Sequence, residues 1–227
     1  MKRAFFTTLL MLSIVYSTSA SSPLIPFTET KLFDSNGFSE QQFGRSLAAD
    51  GNTIVVGAPN QTVTSNGSGA VFVYVKTTAG WQLQQKLTPS DPTPQNAFGM
   101  SVAIDNDTIV VGAHAVDSAS GAAYVFVRSG NTWTQQQKLT SSENSPFDSF
   151  GLSVAVKGDR IVCGAFGNSD FNTITWGSAY VFTRAGNIWT ETQKLAASDA
   201  SDFNRFGLTV ALSEDTIVVG ADGNAGF

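Results

Sequence analysis

Few side chains in this 227-residue chain are equipped for chemistry. It has one cysteine and one histidine, which excludes an internal disulfide and a His-rich zinc site. Cys163 lies in the apolar run Ile161-Val162-Cys163 and reads as a small buried hydrophobe, not a reactive thiol. His114 lacks the positioned partner that a general base needs. Carboxylates are the richer resource, with Asp34, Asp91, Asp117, Glu143, Asp148, Asp170, Asp199 and Asp202 in hydroxyl-rich segments. Such a set could attract a basic partner, although Asp and Ser also favour turns on their own account. Near Asp170 stand three aromatics, Phe166, Phe171 and Trp176. They could contact a sugar or a protein, or fold onto a small core of their own. There is no nucleophile motif or phosphate loop. Three glycosylation sequons, at Asn60, Asn66 and Asn106, matter only in a host that glycosylates.

The elements that must hold these residues come from a repeat. FGRSLAADGNTIVVGA (Phe43 to Ala58) returns without gaps as FGMSVAIDNDTIVVGA (Phe98 to Ala113), FGLSVAVKGDRIVCGA (Phe150 to Ala165) and FGLTVALSEDTIVVGA (Phe206 to Ala221). The opening phenylalanines are 55, 52 and 56 residues apart. Between copies a second pattern recurs: a segment such as Gly69-Ala70-Val71-Phe72-Val73, then Trp81, Trp133 or Trp189, then Lys-Leu at 86–87, 138–139 or 194–195.

Within each unit the apolar period is two. Ser101-Val102-Ala103-Ile104 alternates large and small residues as a strand A. A tight polar turn leads to strand B, the β-branched run Thr108–Ala113, of the kind buried on both faces. Strand C is the VFV segment, and a glycine turn such as Ser129-Gly130-Asn131 leads to the polar strand D, Trp133–Leu139. Lysine and glutamine suit strand D to an outer edge. Four antiparallel strands per fifty residues predict an all-β fold built of β-propeller blades; a β-solenoid has shorter coils and no four-strand meander. Residues present in every blade are read as packing residues: Phe43, Phe98, Phe150 and Phe206, the following Gly44, Gly99, Gly151 and Gly207, and Trp81, Trp133 and Trp189.

The Phe-Gly that opens each copy and the Gly-Ala that closes it resemble the FG-GAP repeat, the blade unit of the integrin α-chain propeller, and most closely its exported, often bacterial, forms. The resemblance covers residues 43–227 and implies a seven-bladed propeller used for adhesion or protein recognition. Integrin-type blades often carry a calcium loop, DxDxDGxxD, between strands A and B, since calcium takes six to eight oxygens. Here Asp105-Asn106-Asp107 offers two carboxylates and Asp50-Gly51-Asn52 one. No calcium or other cofactor is therefore expected in these hairpins.

The chain divides into a signal peptide (1–20), an N-terminal segment with a strand D at 28–32 for ring closure (21–42), repeats at 43–97, 98–149 and 150–205, and the start of a fourth at 206–227. Lys2 and Arg3, the apolar run Ala4–Tyr16 and the small residues before position 21 give the signal its character and predict export to a periplasm, the cell surface or the medium. No later segment is apolar enough to span a membrane as a helix. Cleavage removes two of 13 basic residues, leaving 11 against 18 acidic ones, so no basic footprint for nucleic acid exists. In a meander the A–B and C–D turns share one face of the disc, and the longer B–C and D–A loops share the other. Binding residues concentrate on loops held by a rigid scaffold. The loop face, with Phe166, Asp170, Phe171, Trp176, His114 and Asp117, is thus the candidate ligand-binding surface. The expected function is non-enzymatic recognition of a protein or glycan. The alternatives are a propeller hydrolase or lyase, or a structural repeat of a larger surface protein. A seven-bladed ring needs on the order of 350 residues, so the chain is expected to supply about three and a half blades, a partial ring.

Overall fold

The computed structural model describes residues 29–33, 41–61, 67–167, 176–199 and 204–223. Fourteen strands follow in chain order. The first blade comprises β1 (Ser46–Asp50), β2 (Thr53–Ala58), β3 (Ala70–Thr77) and β4 (Gly80–Leu87). The second has β5 (Ser101–Asp105), β6 (Thr108–Ala113), β7 (Ala122–Ser129) and β8 (Thr132–Leu139). The third has β9 (Ser153–Lys157), β10 (Arg160–Ala165), β11 (Ser178–Ala185) and β12 (Ile188–Leu195), and β13 (Thr209–Leu212) pairs with β14 (Ile217–Gly220). Each of the three complete blades is a four-stranded antiparallel meander in chain order, and the described sheets do not close into a ring. These are propeller blades, as the repeat predicts. Strand C and strand D of each blade slip register at one bulge, between Val73 and Tyr74, Val125 and Phe126, or Val181 and Phe182.

Burial is deepest in strand B of the complete blades. Strands β2 and β6 are buried along their whole length, whereas β12 is mostly exposed. One core lies between the first and second blades, where Val55, Val73 and Leu87 meet Phe98, Ile109, Tyr124 and Trp133. A second, with Val125 and Leu139 against Phe150, Ile161, Cys163 and Tyr180, lies between the second and third. The repeated phenylalanines stand edge-on to aromatics of strand C: Phe98 to Tyr124 at 5.4 Å, and Phe150 to Tyr180 at 5.7 Å. Trp133 and Trp189 are buried, and Trp81 is half-buried.

The Phe-Gly and Gly-Ala anchors form a seam. Within each blade the first glycine's N–H donates to the second's carbonyl, Gly99 to Gly112 at 3.0 Å and Gly151 to Gly164 at 2.9 Å. Across blades, the strand A hydroxyl donates to the next blade's glycine carbonyl: Ser46 to Gly99, Ser101 to Gly151, and Ser153 to Gly207, all at 2.8–2.9 Å. A Cβ on Gly112 would sit 1.8 Å from the Gly151 oxygen, so only glycine allows this approach. The amides of Gln85 and Gln137 likewise exchange two hydrogen bonds each with the backbones of Trp133 and Trp189 in the following blade.

Residues 29–33 of the N-terminal segment, in the stretch expected to form a strand D, carry no strand pairing. Leu32 packs on the outer core of the first blade, and the Tyr74 hydroxyl donates to the Phe33 carbonyl at 3.1 Å. The segment expected to be a signal peptide lies outside the described residues.

Candidate functional site

The carboxylates of the first three A–B hairpins, on the turn face, are engaged with neighbouring groups. Asp50 accepts the Asn106 N–H at 2.6 Å, and Asp105 accepts the Gly158 N–H at 2.8 Å and the Lys157 ammonium at 3.0 Å, in each case from the following blade. Burial pushes the Asp105 carboxyl upward, but these bonds outweigh it and hold it below the usual carboxylate range. Asp107 and Asp159 pair with Arg128 and Arg184 at 2.6 and 2.7 Å. Those guanidinium groups lie 5.1 and 5.0 Å from the centres of the Trp133 and Trp189 rings. Among the described residues no cluster of three metal-ligating side chains occurs.

On the loop face a carboxylate from the D–A loop reaches the next blade's strands C and D. Asp91 lies four residues after Leu87 and Glu143 four after Leu139. Asp91 accepts from the Tyr124 hydroxyl at 2.9 Å and from the Lys138 ammonium at 2.7 Å. Glu143 accepts from Tyr180 at 3.3 Å and from Lys194 at 2.5 Å. Lys138 also faces Asp117 at 3.9 Å. The Lys194 hydrogen bond holds the Glu143 carboxyl below its ordinary value. At Asp91, burial is opposed and outweighed by Lys138 and Tyr124, and the carboxyl is likewise lowered. Burial and these carboxylates push both phenols far above their ordinary range.

Beside the Glu143 trio opens a cleft of about 390 Å³, whose lining includes Trp176, Asp148, Glu143, Tyr180, Lys194 and Ser178. The two loops that bound it are tied by the Gly167 N–H, which donates to the Asp148 carbonyl at 3.2 Å. Asp148 is half-buried, and burial, with the Glu143 charge second, raises its carboxyl above the ordinary value. Trp176 is 53% exposed. A second cleft, lined by Pro59, Asn60, Gly67, Gln95 and Ala97, opens on the same face at the first blade.

The sequence-predicted ligand residues divide between two blades. Trp176 lines the cleft; Phe166, half-buried, sits between the lining residues Ala165 and Gly167; Asp170 and Phe171 fall outside the described residues. His114 and Asp117 belong to the B–C loop of the second blade. There Asp117, Ser118 and Ala119 all have positive φ, an arrangement without a sequence signal. The His114 Nδ1 is buried without a hydrogen-bond partner, and burial, then the Arg45 charge, lowers its pKa. In the sequence, Tyr180 and Lys194 have the character of strand residues only. The constant spacing from Lys-Leu to the acid, Asp91 and Glu143, is the signal that places them at the site.

The family described as FG-GAP repeat matches residues 27–74, 81–126, 133–182 and 189–226. Three of the four matches open at a strand D tryptophan, and three close in strand C, so the unit repeated in sequence straddles two blades. No curated protein matches the chain. Among solved structures, Sqt1 of Saccharomyces cerevisiae is similar over 73% of this chain and 38% of its own, at 9% identity and a TM-score of 0.46. A europium-containing methanol dehydrogenase is similar over 70% of this chain and 26% of its own, at 14% identity and a TM-score of 0.45. The chain thus spans well under half the length of either.

Proposed function

Because this chain belongs to the FG-GAP repeat family, we propose that it is an exported, non-enzymatic recognition module that binds a protein or a glycan through the loop face of its blades. The observation that supports this most is the division of labour between faces. On the turn face Asp50, Asp105, Asp107 and Asp159 are tied to neighbouring groups, whereas two clefts, one of them walled by an exposed tryptophan, open on the loop face. A rigid scaffold with variable loops on one side is how binding surfaces are commonly built. The same engagement of the turn carboxylates supports a propeller that works without calcium in its A–B hairpins.

Arrays of glycans and of extracellular proteins, probed with the whole chain, test the reading. A selective ligand is expected whose capture falls when loop-face residues such as Trp176 and Asp117 are changed, and persists when turn-face residues such as Asn131 and Asn187 are changed. Capture that depends on the turn face, or no selective ligand on either array, overturns it. Turnover of an arrayed glycan or protein overturns the non-enzymatic part.

A further inference from the structure

The blade repeat supplies an internal control for the cleft at Trp176. The residue before the strand C glycine is Ser68 in the first blade and Ser120 in the second, and both are buried. In the third it is Trp176, although its backbone does the same work: the carbonyls of Ser68, Ser120 and Trp176 accept the N–H of Phe98, Phe150 and Phe206 in turn. The residue two before each Phe-Gly is an uncharged amide in three instances, Gln41, Asn96 and Asn204, all buried. In the remaining one it is Asp148. Ser178 adds a hydroxyl where the other blades have Ala70 and Ala122. All three departures from the repeat line one cleft. Packing does not account for them, because the other blades achieve the same backbone contacts with serine, amide and alanine.

We propose that this cleft is a saccharide subsite, with the Trp176 indole as the platform for the apolar C–H face of a pyranose and with Asp148 and Lys194 bonding its hydroxyls. The inference rests on the recognition reading above and names the ligand class of one site on that face. Three features select a neutral polyol. The cleft volume, about 390 Å³, is in the range of small-ligand sites. Its polar lining is mixed: the Asp148 carboxylate accepts, and Lys194 retains ammonium hydrogens beyond the one given to Glu143. Hydroxyls, which donate and accept at once, satisfy both, and a hydroxyl donated to a carboxylate is among the stronger hydrogen bonds. A cationic side chain would instead meet the Lys194 ammonium inside the cleft. Indole offers a broad apolar plane at low conformational cost.

The test uses the whole chain with glucose, galactose, mannose and N-acetylglucosamine as probes, followed by saturation-transfer NMR and calorimetry. At least one is expected to bind saturably. Trp176→Ser and Asp148→Asn install residues that other blades already carry, so both variants should fold, and thermal unfolding checks that they do. Trp176→Ser should weaken binding by about tenfold, Asp148→Asn should weaken it by a smaller factor, and Trp176→Phe should retain most of it. Sugar binding that neither reversion affects overturns the subsite. So does the absence of sugar binding while an arginine-rich peptide binds in a Trp176-dependent way; in that case the recognition reading survives. If neither array nor probe reveals any loop-face ligand, both readings fail together.

Discussion

At the scale of single residues, environment decides what each titratable group does. Cys163 is fully buried at a position where Val56, Val111 and Val219 stand in the other copies, and burial pushes its thiol far above the ordinary range. The native protein should therefore resist thiol-alkylating reagents and become reactive only on denaturation, as a mass-spectrometric labelling time course would show. Cys163→Val should change stability by less than about 1.5 kcal/mol. The loop-face acids act in opposite senses. Glu143 and Asp91 have lowered carboxyl pKa values, so their contribution to stability is present above the ordinary carboxylate value and is lost as pH falls through the folded one. Asp148 has a raised value, so its ionised form opposes folding at neutral pH, and that opposition fades as pH falls through its folded value. Asp148→Asn should accordingly melt at the same temperature as the parent or higher at neutral pH, with the difference vanishing in acid; a lower neutral melting temperature would contradict this sign. That Cys163 is a buried hydrophobe was legible in the sequence alone, since valine stands at its position in the other copies. The Glu143, Tyr180 and Lys194 trio did not emerge from it, because its members come from two blades and meet only through the D–A loop.

At the scale of elements, strand order and burial were readable because the repeat carries the full four-strand unit three times over. A β-branched run such as Thr108–Ala113 can be buried on both faces only inside a sheet that is itself sandwiched, and its position between polar turns sets its ends. What could not be read was the contact each glycine makes. Gly164 is not in a left-handed conformation; its constraint is that a Cβ would lie 1.9 Å from the Gly207 oxygen of the next blade. Gly164→Ala should destabilise by about 3 kcal/mol or more, measured by denaturant unfolding, because backbone and not a flexible side chain would have to move. Phe150→Ala, which removes a fully buried ring packed edge-on against Tyr180 and Phe182, should cost about 3–5 kcal/mol. Lys31-Leu32 resembles the Lys-Leu that ends each strand D, and Leu32 packs on the core of the first blade as Leu87 packs on that of the second.

At the scale of the whole molecule, every inter-blade bond described joins adjacent blades, from Ser46–Gly99 to Ser153–Gly207. Stability should then be close to a sum of blade and junction contributions. The second blade is packed on both sides, whereas Val218 of β14 is 59% exposed. Hydrogen exchange should therefore open the β13–β14 pair first and β6 last; uniform protection across the sheets would refute the nearest-neighbour picture. Calcium addition should leave the melting temperature unchanged, since Asp50, Asp105, Asp107 and Asp159 already have partners. The offset between the family unit and the blade has an evolutionary consequence. A copied stretch that opens at strand D and closes in strand C carries the outer strand of one blade and the inner three of the next, together with the loop that fastens them. Duplication or loss of such a stretch inserts or deletes a finished joint, leaving the flanking copies to meet surfaces of the same kind as before. A change of blade number by such a step would require no new kind of interface.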